Sequence, residues 1–101
     1  MSSDYTIIAD YLTRNIQYFK FFIAAIENDK VNENLIIFRA NILSRYNDLV
    51  AMSLRVINEV DPADDKDNCI AKTAHAVPQL EQLKNRFIEV IDARINAGPS
   101  V

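Results

Sequence analysis

The sequence predicts an all-α protein, an antiparallel up-down-up three-helix bundle with coiled-coil-like heptad packing in a single domain spanning residues 1–101. Helix-breaking residues are scarce, since the chain contains one glycine and three prolines, whereas a strand protein would need several turns. Along three long segments, core-type residues recur at alternating intervals of three and four, which keeps them on one stripe of a helix. The connections are too short to cross the bundle lengthwise, so consecutive helices should be antiparallel.

The first helix is predicted over residues 4–28. Ser2 or Ser3 can cap its free amides, and the polar stretch Asn28-Asp29-Lys30 should end it. Its predicted core stripe consists of Tyr5, Ile8, Leu12, Asn15, Phe19, Phe22 and Ile26.

The second helix is predicted over residues 33–60, with Asn32 as its N-cap and Val31 packed on Ile36 as a hydrophobic staple. It should stop before Pro62, whose ring disfavours helical geometry in the preceding residue. The predicted core stripe consists of Leu35, Arg39, Ile42, Tyr46, Leu49, Ser53, Val56 and Val60.

Four polar residues of the core stripes, three on helices 1 and 2 and one on helix 3, have structural explanations. Folding helix 2 back on helix 1 places Asn15 level with Tyr46, within reach of a hydrogen bond that would set the register. The stem of Arg39 should pack on aromatic rings while its guanidinium reaches water or an acid, and a ligand-binding role for Arg39 is the alternative. The hydroxyls of Ser53 and Thr73 can bond to their own helix backbone.

The third helix is predicted over residues 65–97. The acidic stretch DPADDKDN suits a helix N-terminus, and Gly98 followed by Pro99 is typical just past a helix C-terminus. Pro78 falls opposite the core stripe, so the helix can continue through it, and a break into two shorter helices is the alternative. The predicted stripe consists of Cys69, Thr73, Ala76, Leu80, Leu83, Phe87, Val90 and Arg94.

Composition limits the classes of partner. A net charge of −3 and a pI near 5.0 give no electrostatic reason to bind nucleic acid or anionic lipid. The single cysteine and the absence of a secretory signal pattern predict a cytoplasmic protein. The apolar segment IQYFKFFIAAI, residues 16–26, is shorter than the roughly 20 residues that cross a bilayer. We therefore expect neither a nucleic acid nor a membrane as partner. Interfacial membrane binding through the aromatic residues of helix 1 is a weaker alternative, because the flanks of that surface are not rich in Lys or Arg.

Catalysis finds little support in the residues. One histidine and one cysteine without paired spacing predict no metal site, and the acidic turn lacks the glycine and terminal glutamate of a calcium loop. No glycine-rich loop could cradle a phosphate, so no cofactor is expected and the protein is predicted not to be an enzyme. The alternative is a phosphotransfer module using His75 on an exposed helix face, although the following residues, Ala76, Val77 and Pro78, do not match such modules.

Helix 1 carries a second apolar stripe, which we call the second seam. Its spacing again alternates four and three, and a three-helix bundle needs only one seam from each helix. Surplus aromatic surface of this kind usually marks an interface. The seam consists of Ile7, Tyr11, Arg14, Tyr18, Phe21 and Ala25.

The second seam predicts a protein-binding module, such as a small adaptor, chaperone or inhibitor. Its partner would be another protein or a second copy, in a twofold homodimer where Ile7, Tyr11, Tyr18 and Phe21 meet the same residues. In the alternative arrangement, helix 1 lies centrally and helices 2 and 3 cover both seams.

Overall fold

The computed structural model describes residues 4–98, which form three long helices and one short 3₁₀ turn. The long helices are α1 (Asp4–Glu27), α2 (Leu35–Glu59) and α3 (Cys69–Asn96), and the 3₁₀ turn spans Pro62–Asp64. α3 packs against both other helices in an elongated bundle measuring 59 × 21 × 18 Å. The all-α three-helix bundle is confirmed, while the predicted cap at Ser2 or Ser3 and the role of Pro99 fall outside the described residues.

The helices alternate in direction, as an up-down-up bundle requires. Residues early in α1 meet residues late in α2, and residues early in α2 meet residues late in α3. The contacts that show this are Tyr5 with Glu59 and Phe22 with Phe38 between α1 and α2, and Arg39 with Asp92 and Tyr46 with Lys84 between α2 and α3.

The predicted core stripes point inward, because every one of their residues is buried or half-buried. Aromatic rings hold the middle of the bundle together. Phe19, fully buried, meets Phe22, Tyr46 and Phe87 edge to face, with ring centroids 5.8, 6.4 and 6.4 Å away. Edge-to-face pairs add about 0.5–1.5 kcal/mol beyond the area that they bury.

The core extends beyond the predicted stripes. Ala9, Ile16 and Ile23 of α1 and Ile91 of α3 are also buried. α1 makes its most extensive contact with α3, and a helix pressed closely against a neighbour buries a broader band than one heptad seam. The sequence therefore underestimated how much of α1 is covered on its α3 side.

α1 ends in a Schellman motif around Asp29, whose φ is 54°. The Lys30 amide donates to the Ala25 carbonyl at 2.8 Å, and the Asp29 amide donates to the Ile26 carbonyl at 3.2 Å. Arg94 reaches over from α3 and donates to the Asp29 carboxylate at 2.8 Å. This contact joins the end of α1 to the end of α3.

The start of α2 differs from the prediction. Asn34, rather than Asn32, is the N-cap, and its side-chain oxygen accepts from the amides of Ile36 and Ile37 at 2.8 and 3.2 Å. Ile36 is 64% exposed, so it forms no staple with Val31. The predicted cap was wrong because Asn32 and Asn34 are equally suitable N-cap residues in the sequence. The path of the turn places Asn34, and not Asn32, next to the free amides at the start of α2.

The start of α3 was predicted four residues too early. Residues 61–68 form a separate turn, because their carboxylates bind turn amides. Asp61 accepts from the Ala63 amide at 2.9 Å within the 3₁₀ turn. Asp65 accepts from the amides of Cys69 and Ile70 at 2.8 and 2.9 Å, so that carboxylate caps α3 from outside the helix.

The rest of α3 follows the prediction. The helix runs unbroken through Pro78, which is exposed. It ends before Gly98, whose φ of 73° is the left-handed geometry that favours glycine after a helix.

The two core hydroxyls behave differently from one another. Ser53 donates to the Val50 carbonyl at 2.7 Å, as expected. The Thr73 hydroxyl is fully buried and has no hydrogen-bond partner within residues 4–98, contrary to the prediction that its own backbone would satisfy it.

Candidate functional site

The second seam lies on the flank of α1 that borders α2, and much of it faces solvent. Phe21 is 76% exposed, Ile7 59% and Tyr18 41%, and Arg14 is also exposed. Tyr11 and Ala25 are half-buried. Neighbouring helices therefore cover only part of the seam, and three large apolar side chains remain accessible.

Two tyrosines of the seam, Tyr11 and Tyr18, contact Arg45 of α2. Its guanidinium carbon lies 5.8 Å from the ring centroid of Tyr11, 5.3 Å from that of Tyr18 and 5.8 Å from that of Phe22. These distances are typical of cation–π contacts. The three rings form a cage around a half-buried cation at the edge of the α1–α2 contact.

Asn15 fixes the orientation of this arginine. The Nε of Arg45 donates to the Asn15 side-chain oxygen at 2.7 Å, and the Asn15 amide group donates to the Tyr11 carbonyl at 2.8 Å. Asn15 is fully buried, so both halves of its amide are satisfied without water. The predicted hydrogen bond from Asn15 to Tyr46 is wrong, because Arg45 occupies that place.

Tyr46 instead belongs to the aromatic core. Lys84 of α3 lies 5.1 Å from its ring centroid. Burial, together with the nearby charge of Glu81, raises the pKa of the Tyr46 hydroxyl above its ordinary value. Tyr46 is thus a structural residue beside the site.

A pocket adjoins the cage at the turn between α1 and α2. It has a volume of about 360 Å³ and is open to solvent. Phe22 is shared between the pocket and the cage, and Ala25 of the second seam also borders the pocket. The remaining lining residues are Lys30, Val31, Asn32, Glu33 and Phe38. Pocket, cage and seam therefore form one continuous surface.

The charges around this surface are unusual for the molecule. Four of the six arginines, Arg39, Arg55, Arg86 and Arg94, form ion pairs with carboxylates. The other two, Arg14 and Arg45, are in no ion pair within residues 4–98. Both lie at the second seam, so its border holds two arginines that make no ion pair within residues 4–98. The nearest carboxylates along their helices are Asp10, four residues before Arg14, and Asp48, three residues after Arg45.

Arg39 illustrates the contrast. Its guanidinium reaches Asp92 at the edge of the bundle, with Nε 2.8 Å from the carboxylate. The expectation that Arg39 would reach an acid is confirmed. The ligand-binding alternative loses its basis, since the charge already has a partner.

The alternative function is phosphotransfer through His75, and this histidine is exposed as expected. Its backbone carbonyl accepts a hydrogen bond from Gln79, but no side chain among residues 4–98 contacts the imidazole through a hydrogen bond or ion pair. In the same part of the chain, no group of three His, Cys, Asp or Glu residues could hold a metal ion. No helix within residues 4–98 is long and apolar enough to cross a bilayer.

The sequence pattern indicated Tyr11 and Tyr18 of the cage, but it indicated neither Phe22, nor the turn residues that line the pocket, nor Arg45. The hairpin alignment placed residue 46 level with Asn15, and the correct contact is one residue earlier. An arginine next to the predicted contact position, facing a helix rich in tyrosine, was the available signal.

Comparison of this chain with protein-family models, with curated proteins and with solved structures gives no match. The function is therefore argued from the geometry of the site.

Proposed function

We propose that this protein is a non-enzymatic protein-binding module whose recognition surface is the second seam of α1. The observation that carries the proposal is the exposure of Phe21, Tyr18 and Ile7 on the flank of α1 that lies beside its buried core stripe. Exposed aromatic residues beside an arginine are the residue types that dominate binding energy in protein interfaces. An adaptor, a chaperone or an inhibitor would use such a surface, and the single cysteine supports the predicted cytoplasmic location.

A segment of a partner chain suits the seam better than a small molecule does. The seam runs from Ile7 to Ala25, about 27 Å along α1 at the helical rise per residue. An amphipathic helix laid along an apolar surface covers that distance in about five turns.

Peptide selection tests the proposal directly. Random peptides of about 16 residues, enough for four helical turns, are displayed and selected on the wild-type protein, and the enriched peptides are then measured on two variants. Phe21→Glu should weaken binding by at least about tenfold, as expected for an interface hot spot. Leu54→Glu is the matched control, because Leu54 is a 52% exposed apolar residue of α2 outside the seam.

Two results would contradict the proposal. One is that selection on the wild-type protein enriches no peptide beyond selection without the protein. The other is that Leu54→Glu abolishes binding while Phe21→Glu leaves it intact, with circular dichroism showing both variants folded.

The alternative function is phosphotransfer through His75. Its exposure is the supporting observation, and a labelled phosphoryl donor separates the two functions. Acid-labile label on the wild type that disappears in His75→Ala would favour phosphotransfer. Within residues 4–98 no side chain orients the imidazole through a hydrogen bond or ion pair, and this favours the binding module.

A further inference from the structure

The Arg45 side chain is held in one orientation that leaves part of its guanidinium able to bind a partner. Its Nε is tied to the buried Asn15 oxygen at 2.7 Å, and three aromatic rings surround its guanidinium. An arginine fixed in this way loses little further conformational entropy when it binds an anion. The costs of ordering this side chain are already met within the folded chain.

The two Nη nitrogens of Arg45 carry the unused donors. Neither nitrogen donates to an acceptor among residues 4–98. Neither is fully buried either, since Thr73 Oγ1 is the one fully buried side-chain polar atom of those residues that lacks a hydrogen bond. They therefore reach solvent at the seam. A guanidinium fork of this kind matches a carboxylate, which accepts two parallel hydrogen bonds.

We propose that the second seam binds a partner-protein segment whose Asp or Glu carboxylate pairs with the Nη groups of Arg45 while a neighbouring apolar side chain fills the pocket lined by Ala25 and Phe38. This inference rests on the proposed function and specifies the chemistry of the partner. Phe22 borders both the cage and the pocket, so the acid and the apolar anchor should lie about one helical turn apart in the partner. Arg14, which also makes no ion pair within residues 4–98, adds positive charge to the same border.

A second copy of this chain fits the charges less well than an acidic partner. The twofold dimer predicted from the sequence sets the second seams of two copies, including Arg14 and Tyr18, against each other. Arg45 contacts Tyr18, so this arrangement would bring Arg14 and Arg45 of both copies close to the axis, and neither arginine makes an ion pair within residues 4–98. Like charges placed together across an interface oppose association.

Neutralising the acidic residue of the selected peptides tests the inference. Enriched peptides should contain an acidic residue, and its replacement (Glu→Gln or Asp→Asn) should weaken binding to the wild type by about tenfold, the usual difference between a charge-assisted and a neutral hydrogen bond. On Arg45→Gln, the same replacement should make no difference. Arg55→Gln is the matched control, since Arg55 is an exposed arginine of α2 that pairs with Glu59, and it should retain the tenfold discrimination.

The outcomes separate this inference from the proposed function. Peptides that need Phe21 but lose nothing when their acid is neutralised would support the seam and overturn the carboxylate site. Equal losses from acid neutralisation on the wild type and on Arg45→Gln would overturn it as well. A phosphoserine peptide that binds more than tenfold better than its glutamate counterpart would assign the fork to phosphate instead. Failure to select any peptide would overturn both proposals.

Discussion

The buried hydroxyl of Thr73 should reduce the stability of the folded chain. A buried polar atom without a partner costs about 1–3 kcal/mol relative to its hydration in the unfolded state. Thr73→Val keeps the shape of the side chain and removes the hydroxyl. We expect the free energy of unfolding to rise by about 1 kcal/mol, measured by urea denaturation with an unchanged m value.

Ser53→Ala is the control for that substitution. The Ser53 hydroxyl is also buried in the core, but it donates to the Val50 carbonyl. Its removal should leave stability unchanged or lower it slightly. If Thr73→Val destabilises the protein, the Thr73 hydroxyl has a hydrogen-bond partner, such as an ordered water. That result would contradict the conclusion that this hydroxyl is unpaired.

Polar core residues show how far the sequence could predict individual contacts. The burial of Asn15 and the acid contact of Arg39 followed from the heptad pattern, because the pattern fixes which side of a helix faces inward. The partner of Asn15 did not follow. One residue of error turns a helical side chain by about 100°, which was enough to replace Arg45 with Tyr46 and to hide the cage.

At the level of the elements, the middles of the helices and the start of α1 at Asp4 were predictable, whereas the starts of α2 and α3 were not. The stripes repeat over several turns, so an error at one position is corrected by the others. A cap depends on one or two hydrogen bonds. Asn34 and Asp65 hold the starts of α2 and α3 through such bonds, and neighbouring Asn and Asp residues offered the same local signal.

The cap at the start of α3 should make stability depend on acid pH. Hydrogen bonds from the Ile70 and Cys69 amides favour the charged carboxylate, and they lower the pKa of Asp65 below its ordinary value although partial desolvation opposes them. A lowered folded-state pKa stabilises the protein fully above the unfolded value of about 4, and this stabilisation is lost as the pH falls through the folded-state value.

Asp65→Asn tests this prediction. The wild type should be more stable than the variant at neutral pH, and the difference should shrink as the pH falls below about 4, measured by thermal unfolding across the pH range. Asp64→Asn removes the same charge one residue earlier and is the matched control. A difference between wild type and Asp65→Asn that stays constant down to pH 2, or one that Asp64→Asn reproduces, would show that the Asp65 carboxylate does not cap α3.

For the whole molecule, the spacing of apolar residues predicted the architecture, and it predicted the surplus surface on α1 as well. The three stripes required three helices, and the short turns required alternating directions. What the spacing could not predict was which flank of α1 would be covered. Ala9, Ile16 and Ile23 are buried, while Tyr18 and Phe21 on the flank next to α2 are exposed.

The oligomeric state decides which occupant the second seam takes. Because Arg14 and Arg45 would face their own copies across a twofold axis, we expect gel filtration with light scattering to give the mass of one chain, 11.5 kDa, at micromolar concentration. An acidic peptide from the selection should then bind with one peptide per chain. A doubled mass that Tyr18→Glu returns to one chain without unfolding would contradict this expectation. It would show that the seam pairs with itself, as the sequence alone predicted, and that the like charges are accommodated within the dimer.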